Sequence, residues 1–144
     1  MNRRMIFNAV GMMLRVEAAL LLLPAITSAI YRESEAFAFL SAAVLGYAIG
    51  ILPKLLYKPK THVIYAKEGF IIVAFSWIML SLIGALPFII SGEIPRLADA
   101  FFETVSGFTT TGASILTDVE AHSHGVLFWR SFTHWIGGMG VLVF

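Results

Sequence analysis

Cysteine is absent from this chain, so disulfides and thiolate metal sites are excluded and no redox compartment can be inferred. Charge is scarce as well. Asp, Glu, Lys and Arg make up 13% of the residues, against roughly 25% in an ordinary soluble domain. No nucleophile–base arrangement, phosphate-cradling glycine loop or basic nucleic-acid face is visible, which argues against an enzyme and against a nucleic-acid partner. A cleavage pattern of small residues after Leu20 to Ala25 is also missing, so an uncleaved first span is expected rather than a signal peptide.

What fills the chain instead is apolar. Hydrophobic residues reach 58% and the mean hydropathy is +0.84, which assigns it to a membrane. A first apolar core, Ala18 to Ile30, becomes long enough to cross only if extended back to Asn8, which brings Arg15 and Glu17 inside. Such a span is expected at the edge of a bundle with an interfacial start, with Arg15 snorkelling toward Arg3 and Arg4 and Pro24 bending the helix. Ala36 to Leu52 gives a second span, closed by Pro53 and carrying a Gly46/Gly50 pair suited to close helix contact. Gly69 to Gly92, free of charge, is the strongest span, and Pro87 suggests a bend near its end. The last apolar run, Gly125 to Phe144, is interrupted by Arg130 and His134.

Lysine and arginine bias sets the orientation. Arg3 and Arg4 share one side with Lys54, Lys58, Lys60 and Lys67, while Arg32 and Arg96 lie on the other. The N-terminus is therefore expected in the cytoplasm. The run ending at Phe144 has no basic stop signal, and the chain reads as the front of a longer polypeptide.

Between the last two spans lies DAFFETVSGFTTTGAS, Asp99 to Ser114. It is too short to cross and too apolar for a surface loop, and it reads as a re-entrant pore loop. The expected form is a half-helix over Asp99 to Val105 followed by extended backbone. Non-helical backbone at membrane depth is tolerated only where protein buries it or where it lines a watery path. Carbonyl oxygens can replace the hydration shell of an ion without trapping it. Gly112 is suited to the positive φ this requires, and Thr110 and Thr111 add hydroxyls and stiff, extended backbone. The half-helix would aim its negative end at a cation, with Asp99 complementing its positive end. Alone, TTTG is common in loops; its position between spans gives it meaning.

Arg130 and His134 lie one turn apart and read as structural anchors more than ion-handling groups, and Glu103 is a candidate partner for Arg130. His122 and His124 read as solvated loop rather than metal ligands. Gly137, Gly138 and Gly140 suggest close helix approach.

With DAFFETVSGFTTTGAS and FWRSFTHWIGGMGVLV (Phe128 to Val143) in view, the chain resembles the first pore module of the Trk/Ktr/HKT superfamily of potassium transporters, closest to the bacterial Trk-type pore subunit. The resemblance is close from about Gly69 to Phe144 and looser before Lys67. It implies an all-α integral membrane protein in which residues 1–67 form a transmembrane helix pair with a cytoplasmic linker. Residues 68–144 then form a helix–re-entrant pore loop–helix module, truncated in its last helix. The family's filter falls on Thr110, Thr111, Gly112, Ala113 and Ser114, with potassium held at Thr110, Thr111 and Gly112. Glycine at 112 accompanies potassium preference, whereas serine there accompanies sodium preference in plant relatives. The tract lacks the tyrosine and second glycine of the TVGYG filter of tetrameric channels, which implies weaker exclusion of sodium.

The implied function is potassium uptake across the cell inner membrane by a multi-pass protein with no cofactor, this segment supplying a quarter of the filter. Implied partners are the remaining pore modules of the parent chain, a second copy in a homodimer, a cytoplasmic nucleotide-binding regulatory subunit and the lipid bilayer. Two alternatives stay open: a non-conducting membrane scaffold, or four copies forming a channel if the chain is complete.

Overall fold

The computed structural model describes residues 3–57 and 65–143, with side chains described to residue 140; Lys58 and Lys60 lie outside the described residues. These residues fold entirely as helix and connecting loop: α1 Arg3–Leu20, α2 Leu22–Ile30, α3 Ala36–Leu56, α4 Ala66–Ile90, α5 Leu97–Phe108 and α6 His124–Val143. Among the described residues, three stretches are long and apolar enough to cross a membrane: Arg3–Ile30, Ala36–Leu56 and Ala66–Ile90. Exposed Leu, Ile, Val and Phe cover their outer faces, as expected of helices that meet lipid.

The first span is bent as expected but departs from expectation in its position. It begins at Arg3 and is bent, not broken, at Leu21, between α1 and α2. Pro24 has no N–H to offer the Leu20 carbonyl, while Leu21 N still reaches Glu17 O at 2.9 Å and Ala25 N reaches Leu21 O at 3.3 Å. α1 does not lie at the edge. Ile6, Val10, Leu14 and Ala18 are buried, and the helix packs along both α3 and α4. Backbone contact makes this possible. A Cβ on Gly11 would stand 2.6 Å from the Gly50 carbonyl oxygen, and one on Gly50 would stand 2.7 Å from that of Gly11. The Gly46/Gly50 pair therefore serves a crossing with α1, as small-residue packing in membranes requires. Glu17 is buried in this interior beside Gly84.

α3 runs through Pro53 to Leu56, and the Tyr57 amide closes it on the Pro53 carbonyl at 2.9 Å. α4, at 25 residues, spans about 37 Å at 1.5 Å per residue. Its Pro87 leaves the Ile83 carbonyl without a helical donor, and in the same turn Gly84 O accepts the Trp129 indole N–H at 2.9 Å. After Ser91, Gly92 adopts φ +79 and Ile94 N returns to Phe88 O at 3.1 Å, folding the chain back into α5. The core of Leu14, Ala25, Phe39, Phe88, Phe108 and Trp129 thus draws on every helix.

Two carboxylates tie the loops at one end of the bundle. Glu33 accepts from the His124 and Gly125 amides at 2.8 and 3.2 Å and contacts the His124 ring, capping α6 from the α2–α3 loop. Tyr31 stacks on the same imidazole, with ring centroids 3.9 Å apart. Glu93 pairs with His122. Both histidines expected to be solvated loop are therefore partnered, each by one carboxylate.

Candidate functional site

The 12 residues of α5 extend about 18 Å, little more than half of a roughly 30 Å hydrocarbon layer. The helix continues one turn beyond the expected end at Val105, through Ser106-Gly107-Phe108. Contacts with α6 explain the extra turn. Gly107 lies flush against Thr133, and the Phe108 backbone lies against Gly137, each too close for a Cβ. Phe108 itself is 1% exposed, edge-on to both Trp77 and Trp129.

Beyond Phe108 the helix unwinds in a defined way. Thr109 N and Thr110 N still bond to Val105 O at 2.8 Å and Gly107 O at 2.9 Å, and Thr111 N reaches Ser106 O at 2.9 Å. Thr110 then takes φ 57 and Gly112 φ +77. The expectation for Gly112 is met: no atom would obstruct a Cβ there, so backbone conformation alone favours glycine. The expectation for Thr110 is not. A β-branched residue in the left-handed region is an outlier, and Thr110 turns the chain where extended backbone was expected.

Three hydroxyls share one polarity. Thr109 Oγ1 donates to Val105 O at 2.7 Å, and Thr110 Oγ1 donates to Thr109 O at 2.7 Å. A hydroxyl has one proton to give. The 2.8 Å contact between Thr109 Oγ1 and Thr111 Oγ1 must therefore be donated by Thr111. All three protons are used in hydrogen bonds within the turn, and the surface from Thr109 to Ile115 is exposed. That surface offers oxygen acceptors.

The segment after the turn is held from behind. Ser106 Oγ donates to the Ala113 carbonyl. Glu103, 2% exposed, accepts from Ser114 Oγ at 3.0 Å, from Ile115 N at 3.1 Å and from Arg130 Nε at 2.6 Å. The anticipated partnership of Glu103 with Arg130 is thus present. The Ser114 hydroxyl belongs to this buried hub and not to the open surface. No signal in the sequence pointed to that role, because Ser114 reaches Glu103 only once the chain has turned back at Thr110 and Gly112. His134 Nδ1 lies 2.9 Å from Arg130 O, inside its own helix, in keeping with an anchoring role.

Membrane-length helices packed around a half-length helix, which ends in open Thr/Gly backbone, form the framework of a membrane transport protein. Residues 35–144 match the family model described as TrkH, a cation transport protein, and the chain belongs to that family. Among curated relatives, the Trk system potassium uptake protein TrkH of Salmonella typhimurium is 38% identical over 99% of the chain. The corresponding protein of Escherichia coli is 37% identical over the same share, and in each case the chain spans 30% of the relative. The crystal structure of the potassium transporter TrkH from Vibrio parahaemolyticus superposes with a TM-score of 0.93 at 32% identity, over 99% of this chain and 31% of that one. The family is one of transporters, not enzymes.

Proposed function

We propose that this chain supplies the first pore module of a potassium uptake transporter, contributing one quarter of its selectivity filter. In this reading residues 1–67 form the accessory helix pair and residues 68–144 the module proper. The N-terminus and the Lys54–Lys67 connection face the cytoplasm, the protein resides in the cell inner membrane, and α5 enters the bilayer from the outer face. Its carboxyl end carries partial negative charge and favours a cation beyond Thr109. Thr110, Thr111 and Gly112 hold potassium, and Ala113 and Ser114 complete the filter segment, braced from behind by Ser106 and Glu103. The relatives' names specify potassium uptake and cation transport, which supports the choice of ion.

The observation that carries the reading is the exposed turn at Thr110–Gly112, where positive φ unwinds the end of α5 and the threonine protons are already used in hydrogen bonds within the turn. Remaining modules of a longer parent chain complete the ring of oxygens, since one loop cannot surround an ion. A second copy and a cytoplasmic nucleotide-binding subunit are the further partners in this reading.

The test is uptake by a potassium-transport-deficient host expressing the full-length protein that carries this chain, with intact Gly112 and with Gly112→Ser. Growth at low potassium with the intact residue, and sodium leakage with the serine, is the expected outcome. Identical ion preference in the two would contradict the filter assignment.

A further inference from the structure

Away from the Thr109–Ile115 surface, a groove opens along the first span. With a volume of about 500 Å³, it runs between α1–α2 and α3, walled by Ala19, Leu22, Leu40 and Ala43, with Arg15 and Tyr47 at one end. Register fixes the direction. Gly50 meets Arg15 Cγ, a Cβ on Gly46 would meet that of Ala18, and Leu22 and Leu40 lie farther along toward the α2–α3 loop. The polar end is therefore the end nearer Lys54, which follows Gly50 by one turn, about 6 Å along the helix. Lys54 is exposed close to the end of a membrane-length helix, so Arg15 lies about one turn below that membrane face and the groove descends from it into the hydrocarbon.

Arg15 is half-buried, its Nε donates to Gly11 O at 3.3 Å, and it makes no ion pair among the described residues. A guanidinium at this depth needs an anion, and its planar fork suits phosphate oxygens. Next to it the alanine side chains leave a channel that apolar chain can fill.

We infer that this groove is a phospholipid site: the headgroup phosphate of an anionic lipid sits on Arg15 beside Tyr47, and one acyl chain lies between α1–α2 and α3. Charge complementarity chooses the lipid, because a phosphate with net negative charge supplies the anion that Arg15 lacks, whereas a zwitterionic headgroup brings its own cation. The site does not depend on the pore reading and survives if that reading fails.

The test uses the full-length protein, delipidated in neutral detergent and titrated with dioleoylphosphatidylglycerol or dioleoylphosphatidylcholine, with bound lipid counted by native mass spectrometry. The intact protein should retain phosphatidylglycerol about fivefold more strongly, the preference one basic side chain confers near an anionic surface. Arg15→Gln should abolish the preference and Arg15→Lys should keep most of it, which separates charge from fold. Ala19→Trp, which fills the groove and leaves Arg15 in place, should lower retention of both lipids. An unchanged preference in Arg15→Gln, or unchanged retention in Ala19→Trp, would overturn the assignment.

Discussion

Arg130 on α6 donates its Nε to Glu103 on α5 at 2.6 Å, and the same carboxylate accepts the Ile115 amide and the Ser114 hydroxyl. One buried group thus fixes the short helix, the exit of the Thr/Gly turn and the last helix relative to one another. Replacing one partner leaves the other charge without compensation, a change that costs about 3 kcal/mol where the pair is buried. Glu103→Gln should therefore lower the thermal stability of the full-length protein and weaken its discrimination between potassium and sodium together. Exchanging the charges, Glu103→Arg with Arg130→Glu, should recover part of the stability but not the ion preference, since Ile115 N would still lack its acceptor. Stability by thermal unfolding and preference by competitive uptake check the two halves separately.

The close seat of Gly137 against the Phe108 backbone gives a steric prediction. A methyl group at 137 would meet the carbonyl, which cannot rotate away as a side chain tip can. Gly137→Ala should destabilise by about 1–3 kcal/mol, the usual cost of overpacking. Gly138→Ala, with nothing within 4 Å of its Cβ position, should be neutral or slightly stabilising through helix propensity. Thermal denaturation of the paired variants checks this.

Much of this was legible in the sequence, for identifiable reasons. The uncharged run within α4 leaves a bilayer as its natural setting, and Gly112 sits at the one position of the tract where only backbone freedom distinguishes residues. The end of α5 was not legible. Gly107-Phe108 has the composition of a loop, and the contacts that keep it helical come from Thr133 and Gly137 some 25 to 30 positions away. Thr110 misled for a related reason: a β-branched residue prefers extended backbone, and here the hydrogen bonds around Thr109 hold it otherwise. The interior position of α1 rests on Gly11 meeting Gly50, a relationship between two helices that neither reveals alone.

A pH prediction rests on Glu33. Partial desolvation pushes its carboxyl up, but hydrogen bonds from the His124 amide and ring and from the Gly125 amide outweigh this and hold it below its ordinary value. A lowered carboxylate stabilises the folded state above the unfolded pKa, and that contribution disappears as pH falls through the folded value. The junction of the α2–α3 loop with α6 should thus loosen in acid and stay intact at neutral pH. Protection of the His124 and Gly125 amides, taken relative to the intrinsic exchange rate at each pH, should fall on acidification, and Glu33→Gln should flatten that response.

A direct test of the central claim is competitive uptake of potassium against sodium by the full-length protein with Gly112 replaced by serine. At φ +77 a side chain costs about 1–2 kcal/mol, enough to disturb the turn whose oxygens are assigned to the ion. The account predicts that potassium preference falls while the protein still reaches the membrane. Preference equal to that of the intact protein, at equal expression, would contradict it.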